Sequence, residues 1–291
     1  MRVLVIGGTR FIGPRVVRRL VDHGHDVAVF SRGQHSAPLP AGVQRFTSPL
    51  AAMPVYRIPD DLRANEPDVV LHMIAMGERD AAAARDAFVD IARRIVVASS
   101  GDVYRAYGVF MGSETGEVEP MPLSESSALR STLYPYRTAA TPADALEYVY
   151  DKIVVERELA ADPRLPATIL RLPKVYGPED NATLATVYGF RHHPNWRWTH
   201  GYVENVAAAI ALAVVDERAS GRIYNVGEEH TPTVAERLAS LPPNPAVPLF
   251  KQEANFAQDI AYDTGAIRSE LGYREAVAER DAMGEMAASA L

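Results

Sequence analysis

Short apolar runs alternate with amphipathic stretches along most of the chain. Arg2–Ile6 is a β-branched apolar run that meets glycines at once, which predicts a buried strand. In Pro14–His23 (PRVVRRLVDH) the apolar positions recur at helical spacing. Pro14 suits a first turn, where its missing N–H is not needed, and Gly24 stops the helix. Asp26–Phe30 (DVAVF) and Asp68–Met76 (DVVLHMIAM) read as further strands, and Asp80–Ala92 as a helix. Ile95–Ser99 is a strand, Glu147–Ala161 a helix and Pro166–Leu172 a strand. Strands that are apolar throughout, alternating with helices, predict an α/β fold: a parallel sheet covered by helices on both faces.

Two regions break the rhythm. Arg105–Ala145 reads as one long connection rich in Pro, Gly, Ser and Tyr, and long loops in compact domains are usually functional or mobile. Residues from about 176 to 200, and from 227 onward, are less regular and predict a small second lobe. The division expected is residues 1–174, with 200–226 returning to them, and a lobe of 175–199 and 227–291.

Composition narrows the classes of function. Of 291 residues 47% are hydrophobic and 23% charged, the balance of an ordinary globular protein, and the net charge of −7 argues against a general binder of nucleic acid or anionic membrane. Cysteine is absent, which removes disulfides, thiolate metal sites and thiol nucleophiles. No apolar run approaches the roughly 20 residues that span a bilayer, and the opening MRVLVIGG lacks the anatomy of a signal peptide. These features read as cytoplasmic.

The first chemical signal is VLVIGGTRFIGPRVV, which sets Gly7, Gly8 and Gly13 between a strand and a helix. Gly7 permits a tight turn, Gly13 lets helix and strand approach, and the helix N-terminus offers N–H groups to a pyrophosphate. Strand two ends Phe30-Ser31-Arg32-Gly33, without the acid that would accept hydrogen bonds from an adenosine ribose. Arg10 and Arg32 are two guanidinium forks suited to a 2′-phosphate, which favours NADP over NAD.

The second signal is EYVYDKIVVE. Only three of the 30 Lys and Arg residues are lysine, and one of them, Lys152, stands here. Within a helix, residues four apart share a face and residues two apart do not. Tyr148 is therefore the expected partner of Lys152, and Tyr150 is expected to face the core. ASSGDVY, Ala98–Tyr104, follows a strand and places hydroxyls where open α/β sheets bind ligands.

Together GGTRFIG, SSGDVY, YVYDK and RLPKVYGP, in this order over about residues 1–230, resemble the extended short-chain dehydrogenase/reductase superfamily, the NAD(P)-dependent epimerase/dehydratase group. GGTRFIG with SSGDVY is most similar to a branch that includes chloroplast stem-loop RNA-binding proteins. The resemblance implies a doubly wound Rossmann sheet with a small C-terminal substrate lobe, and an oxidoreductase or epimerase that transfers hydride at a secondary alcohol or ketone of a small molecule such as a sugar or sugar-nucleotide, either as net oxidoreduction or as epimerisation through a transient ketone. It implies a catalytic triad of Ser100, Tyr148 and Lys152, with Tyr148 the acid/base and Lys152 on the nicotinamide ribose. It further implies cofactor contacts from Gly7, Thr9, Arg10, Phe11, Ile12, Arg32, Ala75, Pro173 and Val175, and often a homodimer. The alternative is a nucleotide-dependent RNA-binding or regulatory protein without turnover.

Other residues carry weaker signals. Gly101-Asp102 stands where sugar-nucleotide dehydratases carry an Asp-Glu pair, which argues against elimination chemistry. Asp102 reads as a substrate contact or a cap on the following turn. Lys174 occupies the place of a substrate-binding asparagine, and a cation there suits an acidic substrate. His192, His193, Trp196, Trp198 and His200 have no metal-ligand spacing and read as packing between lobes.

Overall fold

The computed structural model describes residues 1–35, 37–49, 57–251 and 253–289. The chain begins β1 (Arg2–Ile6), α1 (Ile12–Asp22), β2 (Asp26–Ser31), β3 (Gln44–Thr47), α2 (Asp60–Ala64), β4 (Val69–His72), α3 (Glu78–Phe88) and β5 (Arg94–Ser100). It continues α4 (Arg105–Met111), α5 (Leu146–Val149), α6 (Lys152–Ala160), β6 (Ala167–Leu172) and β7 (Lys174–Tyr176). Then follow α7 (Ala185–Tyr188), β8 (His200–Tyr202), α8 (Val203–Val215), β9 (Ile223–Asn225), α9 (Val234–Ala239), α10 (Gly265–Leu271) and α11 (Glu279–Ser289).

Among the described residues one sheet has seven strands in the order β3-β2-β1-β4-β5-β6-β9. The pairings from β3 through β5 are parallel. The order reverses between β1 and β4, because the chain runs outward from β1 to β3 and then returns to β1's other side. That switch point leaves a crevice at the carboxyl ends of β1 and β4, where open α/β sheets receive ligands. The strands are buried on both sides, as in Leu4, Ile6, Val70 and Val97, and helices α3 and α6 pack on one face. The doubly wound reading therefore holds.

The chain forms two compact units: residues 1–100, 133–171 and 209–224, and residues 101–132, 172–208 and 225–291. This division differs from the expected one chiefly in residues 101–132, which belong with the second unit. Their ties explain it. Leu123 bridges Tyr262, the Leu123 N–H donates to the Ala261 carbonyl at 2.7 Å, and Asn225 Nδ2 donates to the Leu123 carbonyl at 2.9 Å.

Two sequence expectations need correction. The connection from Arg105 to Ala145 is not one long loop. It opens as α4, which Gly112 ends in the left-handed conformation at φ 75°, and Glu114 then accepts hydrogen bonds from Ser131 and Thr132. The expected helix from Glu147 to Ala161 is also absent as a single element. It is split into α5 and α6 by two extended residues, Tyr150 (φ −69°, ψ 118°) and Asp151 (φ −159°, ψ 115°). The cause is Asp151, a buried N-cap whose carboxylate accepts from Ile153 N at 2.8 Å and Tyr134 N at 2.6 Å. Such capping requires non-helical backbone at the cap residue.

Candidate active site

In the first unit, β1 delivers the chain into the turn at Gly7, which lies at φ 97° and donates its N–H to the Phe30 carbonyl at 2.9 Å. A Cβ on Gly13 would stand 2.6 Å from the Gly8 carbonyl carbon, so only glycine lets α1 approach the turn. Phe11 precedes α1 at φ 48°, a conformation rare for a residue with a side chain. The first turn of α1 carries no acid and no side-chain cap, which leaves its N–H groups and the positive dipole end to an anion. Thr9, Phe11 and Ile12 lie along this turn and helix start. Gly7, Thr9, Arg10 and Arg32 line one small cleft of about 60 Å³, together with Ser31, Gln34, His35 and Ile74. Arg10 and Arg32 thus line the same cleft, and His35 is a third basic group there that the motif reading passed over.

At the end of β4 the chain turns through Ala75, and the turn is held by Asp80. This buried carboxylate accepts from Met76 N at 2.6 Å and Gly77 N at 2.8 Å, and burial raises its pKa although those bonds and Lys152 oppose the rise. Lys152 begins α6. Its ammonium is buried and donates to the carbonyls of Ala75 and, at 3.0 Å, Ala98. Those carbonyls lie at the carboxyl ends of β4 and β5, and they offset the cost of removing the ammonium from water. One turn further, Glu156 accepts from the Ser99 hydroxyl at 2.5 Å and pairs with Arg171 at 2.8 Å. Ser99 is thereby committed to the interior, whereas Ser100 at the strand end is half-buried.

The two tyrosines sit differently from the helical expectation. Tyr148 belongs to α5 and has its own cation. Arg137 donates from Nε to the Tyr148 carbonyl at 2.7 Å, and its guanidinium lies 4.2 Å from the Tyr148 ring and 3.9 Å from that of Tyr134. Tyr150 lies beside Lys152, whose Nζ is 5.8 Å from its ring centroid, and it packs on Tyr136 at 5.4 Å. His72, at the end of β4, is wholly buried, and neither ring nitrogen has a hydrogen-bond partner among the described residues. Burial, with Lys152 nearby, pushes its pKa down to about 3, so it stands neutral. His72, Asp80, Asp151 and Arg137 all escaped sequence reading. The signal for Asp151 was present: an Asp before an apolar amphipathic run is a helix start.

Residues 3–227 match the NAD dependent epimerase/dehydratase family. The chain belongs to that family. Among curated proteins, 2'-dehydrokanamycin reductase of Streptomyces kanamyceticus is 28% identical over 248 residues, which are 79% of this chain and 62% of that protein. The match thus spans less than two thirds of the relative's length. The UDP-glucose 4-epimerase of Thermotoga maritima, solved with UDP-glucose, superposes with a TM-score of 0.69 at 16% identity, covering 99% of this chain and 98% of that one. The UDP-glucose 4-epimerase of Thermus thermophilus, solved with NAD, gives a TM-score of 0.64 at 20% identity, covering 99% and 98%. At such identities the likeness is one of fold.

The second unit carries Asp102, Pro173, Lys174 and Val175. Asp102 is buried in a short 3-10 turn, Gly101–Val103. Pro173 packs on Gly201, and Lys174 and Val175 lie in β7, paired in register with His200 and Gly201 of β8. A cavity of about 880 Å³ opens in this unit, and Lys174 is not among its lining residues. Glu228 and Arg237 pair on its wall at 3.0 Å, and burial pushes the Glu228 carboxyl up to about 7 in spite of that partner. Glu279, also on the wall, accepts from the Tyr176 hydroxyl at 2.6 Å and is raised by burial. His200 takes a hydrogen bond from the Thr186 hydroxyl at Nε2 and donates from Nδ1 to the Trp198 carbonyl. The rings of the aromatic cluster contact one another within this unit. Trp196 stacks on Phe110 at 4.8 Å, and His193 stacks on Phe256. No described helix is long and apolar enough to cross a membrane.

Proposed function

We propose that this chain is a reductase of a polar, sugar-like ketone that takes its reducing equivalents from NADPH. The observation that carries the reading is Lys152, a buried ammonium held by the carbonyls of Ala75 and Ala98 at the switch point of the sheet. A structural lysine gains little from such a place, since burying its charge is costly. A lysine that binds ribose hydroxyls needs a fixed, compact donor there.

The glycine turn and the N-terminus of α1 fit a dinucleotide pyrophosphate, because Gly13 lets α1 close on the turn and the first turn of α1 carries no acid and no side-chain cap. Arg10, Arg32 and His35 fit a 2′-phosphate in the cleft they line. Lys152 holds the nicotinamide ribose, with Ala75, Pro173 and Val175 as further cofactor contacts. When bound, the reduced nicotinamide supplies a hydride. Ser100 donates a hydrogen bond to the ketone oxygen, and Tyr148, the proposed acid, supplies the proton.

The substrate class is a keto amino sugar, in keeping with the relative named for 2'-dehydrokanamycin, with Lys174 and Asp102 as its proposed polar contacts.

Calorimetry with NADPH and NADH, followed by NADPH oxidation on keto amino sugars and on nucleotide sugars, tests the proposal. Tighter binding of NADPH is expected, with the margin falling about tenfold in Arg32→Ala, the size of one charge-assisted contact. Equal affinities reject the 2′-phosphate assignment. Turnover of nucleotide sugars alone rejects the substrate class.

A further inference from the structure

We infer that Asp80 is a positioning residue of the nucleotide site proposed above, holding the Lys152 ammonium and the start of α6 in place through two consecutive peptide units. The inference rests on that reading and deepens it. Asp80 is the third residue of α3 and is fully buried. It touches neither Lys152 nor Asp151 by a hydrogen bond of its own side chain; it acts on both through the turn that follows β4.

A trans peptide unit is planar, so its N–H and its carbonyl point in opposite directions, and fixing one fixes the other. The unit joining Ala75 to Met76 gives its N–H to Asp80 Oδ2 at 2.6 Å, and its carbonyl accepts from Lys152 Nζ. The unit joining Met76 to Gly77 gives its N–H to Asp80 Oδ1 at 2.8 Å, and its carbonyl accepts from Asp151 N at 2.9 Å. One carboxylate thus holds two adjacent planes from one side, and the two residues that start α6 hold the same planes from the other. Gly77 lets the segments meet: a Cβ there would stand 2.3 Å from the Val149 carbonyl oxygen.

The signs match as well. Each plane turns its positive N–H end to the carboxylate and its negative carbonyl end to a donor. Along the first plane the order is carboxylate, peptide dipole, ammonium, in which each member polarises the next. Burial raises the Asp80 carboxyl, and the two N–H groups and the Lys152 charge work against that rise. The other anchor of the ammonium, the Ala98 carbonyl at 3.0 Å, comes from β5 and is independent of Asp80. The rival task for Asp80 is to start α3, where its carboxylate also accepts from Ala81 N at 3.2 Å.

Asp80→Asn keeps the size of the side chain but puts an NH2 group, which cannot accept, in place of one oxygen, so Met76 and Gly77 can no longer both be held. Calorimetry measures NADPH affinity in wild type, Asp80→Asn, Lys152→Met and the double variant, with circular dichroism and thermal unfolding as checks on folding. Asp80→Asn is expected to weaken NADPH about tenfold beside Lys152 and less than about twofold in the Lys152→Met background, because its effect passes through the ammonium. A residue that only starts α3 gives the same factor in both backgrounds. Equal factors, or no loss beside Lys152, overturn the inference and leave the nucleotide reading standing. If Asp80→Asn does not fold, amide exchange decides. Saturating NADPH should slow the Met76 and Gly77 amides in wild type but not in Lys152→Met; equal slowing in both, or slowing in neither, overturns the inference. Absence of NADPH binding in wild type, or undiminished binding in Lys152→Met, overturns the reading of Lys152 and this inference with it.

Discussion

The turn after β1 and the turn between α5 and α6 differ in what holds them. The first is governed by residues within it. Gly7 at φ 97° and Gly13 against the Gly8 backbone are demands that any reader of the motif can state, because the constraint is local. The second is governed from a distance. Asp151 accepts from Tyr134 N, Asp151 N donates to the Met76 carbonyl at 2.9 Å, and Lys152 reaches the carbonyls of Ala75 and Ala98. Periodicity in EYVYDKIVVE describes the helix that the segment would form alone. The tertiary bonds break it after Val149.

The largest expected effect tests the local turn. Gly13→Ala places a Cβ 2.6 Å from the Gly8 carbonyl carbon, with backbone on both sides. Destabilisation of at least about 3 kcal/mol is expected from such a clash, together with loss of NADPH binding. Urea unfolding and calorimetry measure the two, and a variant of native stability would show that the turn relaxes freely.

Next comes the distant turn. Asp151→Ala removes both the cap of α6 and the acceptor of Tyr134 N, each within buried structure. Lost caps cost about 0.5–2 kcal/mol, and an orphaned buried donor adds about 1–3. A fall of roughly 2–3 kcal/mol in urea unfolding is expected, with faster hydrogen exchange at Tyr134 and Ile153. If instead α5 and α6 merged and stability rose, Asp151 would not be what splits them.

A smaller effect per pH unit comes from His72, which neighbours Lys152 at the base of that turn. Its folded pKa of about 3 lies below its value of 6.5 in the unfolded chain. Between these values the unfolded chain binds a proton that the folded chain refuses. Its contribution to stability is therefore complete above pH 6.5 and falls by about 1.4 kcal/mol per unit as pH drops toward 3. His200, lowered in the same sense, adds to the slope. His72→Leu should flatten the dependence between pH 6 and pH 4 by about one proton. An unchanged slope would mean that His72 is protonated in the fold or exposed in it.

Much of the fold was legible for the reason that separates the two turns. The apolar runs of β1, β2, β4 and β5 are buried on both sides, so burial and sequence pattern coincide. Ser99 is committed to Glu156, while Ser100 at the end of β5 is half-buried, a difference between neighbours that the sequence pattern does not carry. Residues 101–132 join the second unit through partners, among them Gln258, Ala261 and Tyr262, that lie more than a hundred positions away and leave no local signal. The cavity of the second unit left no trace in the pattern, since its glutamates come from loops and helix starts around 228–236 and 275–279.

The most direct test of the account is calorimetric titration of NADPH into wild type and Lys152→Met, with thermal unfolding of both. One site per chain is predicted in wild type. The variant, still folded, should bind at least tenfold more weakly, about 1.4 kcal/mol, because one ammonium on the ribose is lost. Equal affinity in the two proteins would contradict the claim that Lys152, held at the ends of β4 and β5, organises a nicotinamide nucleotide site.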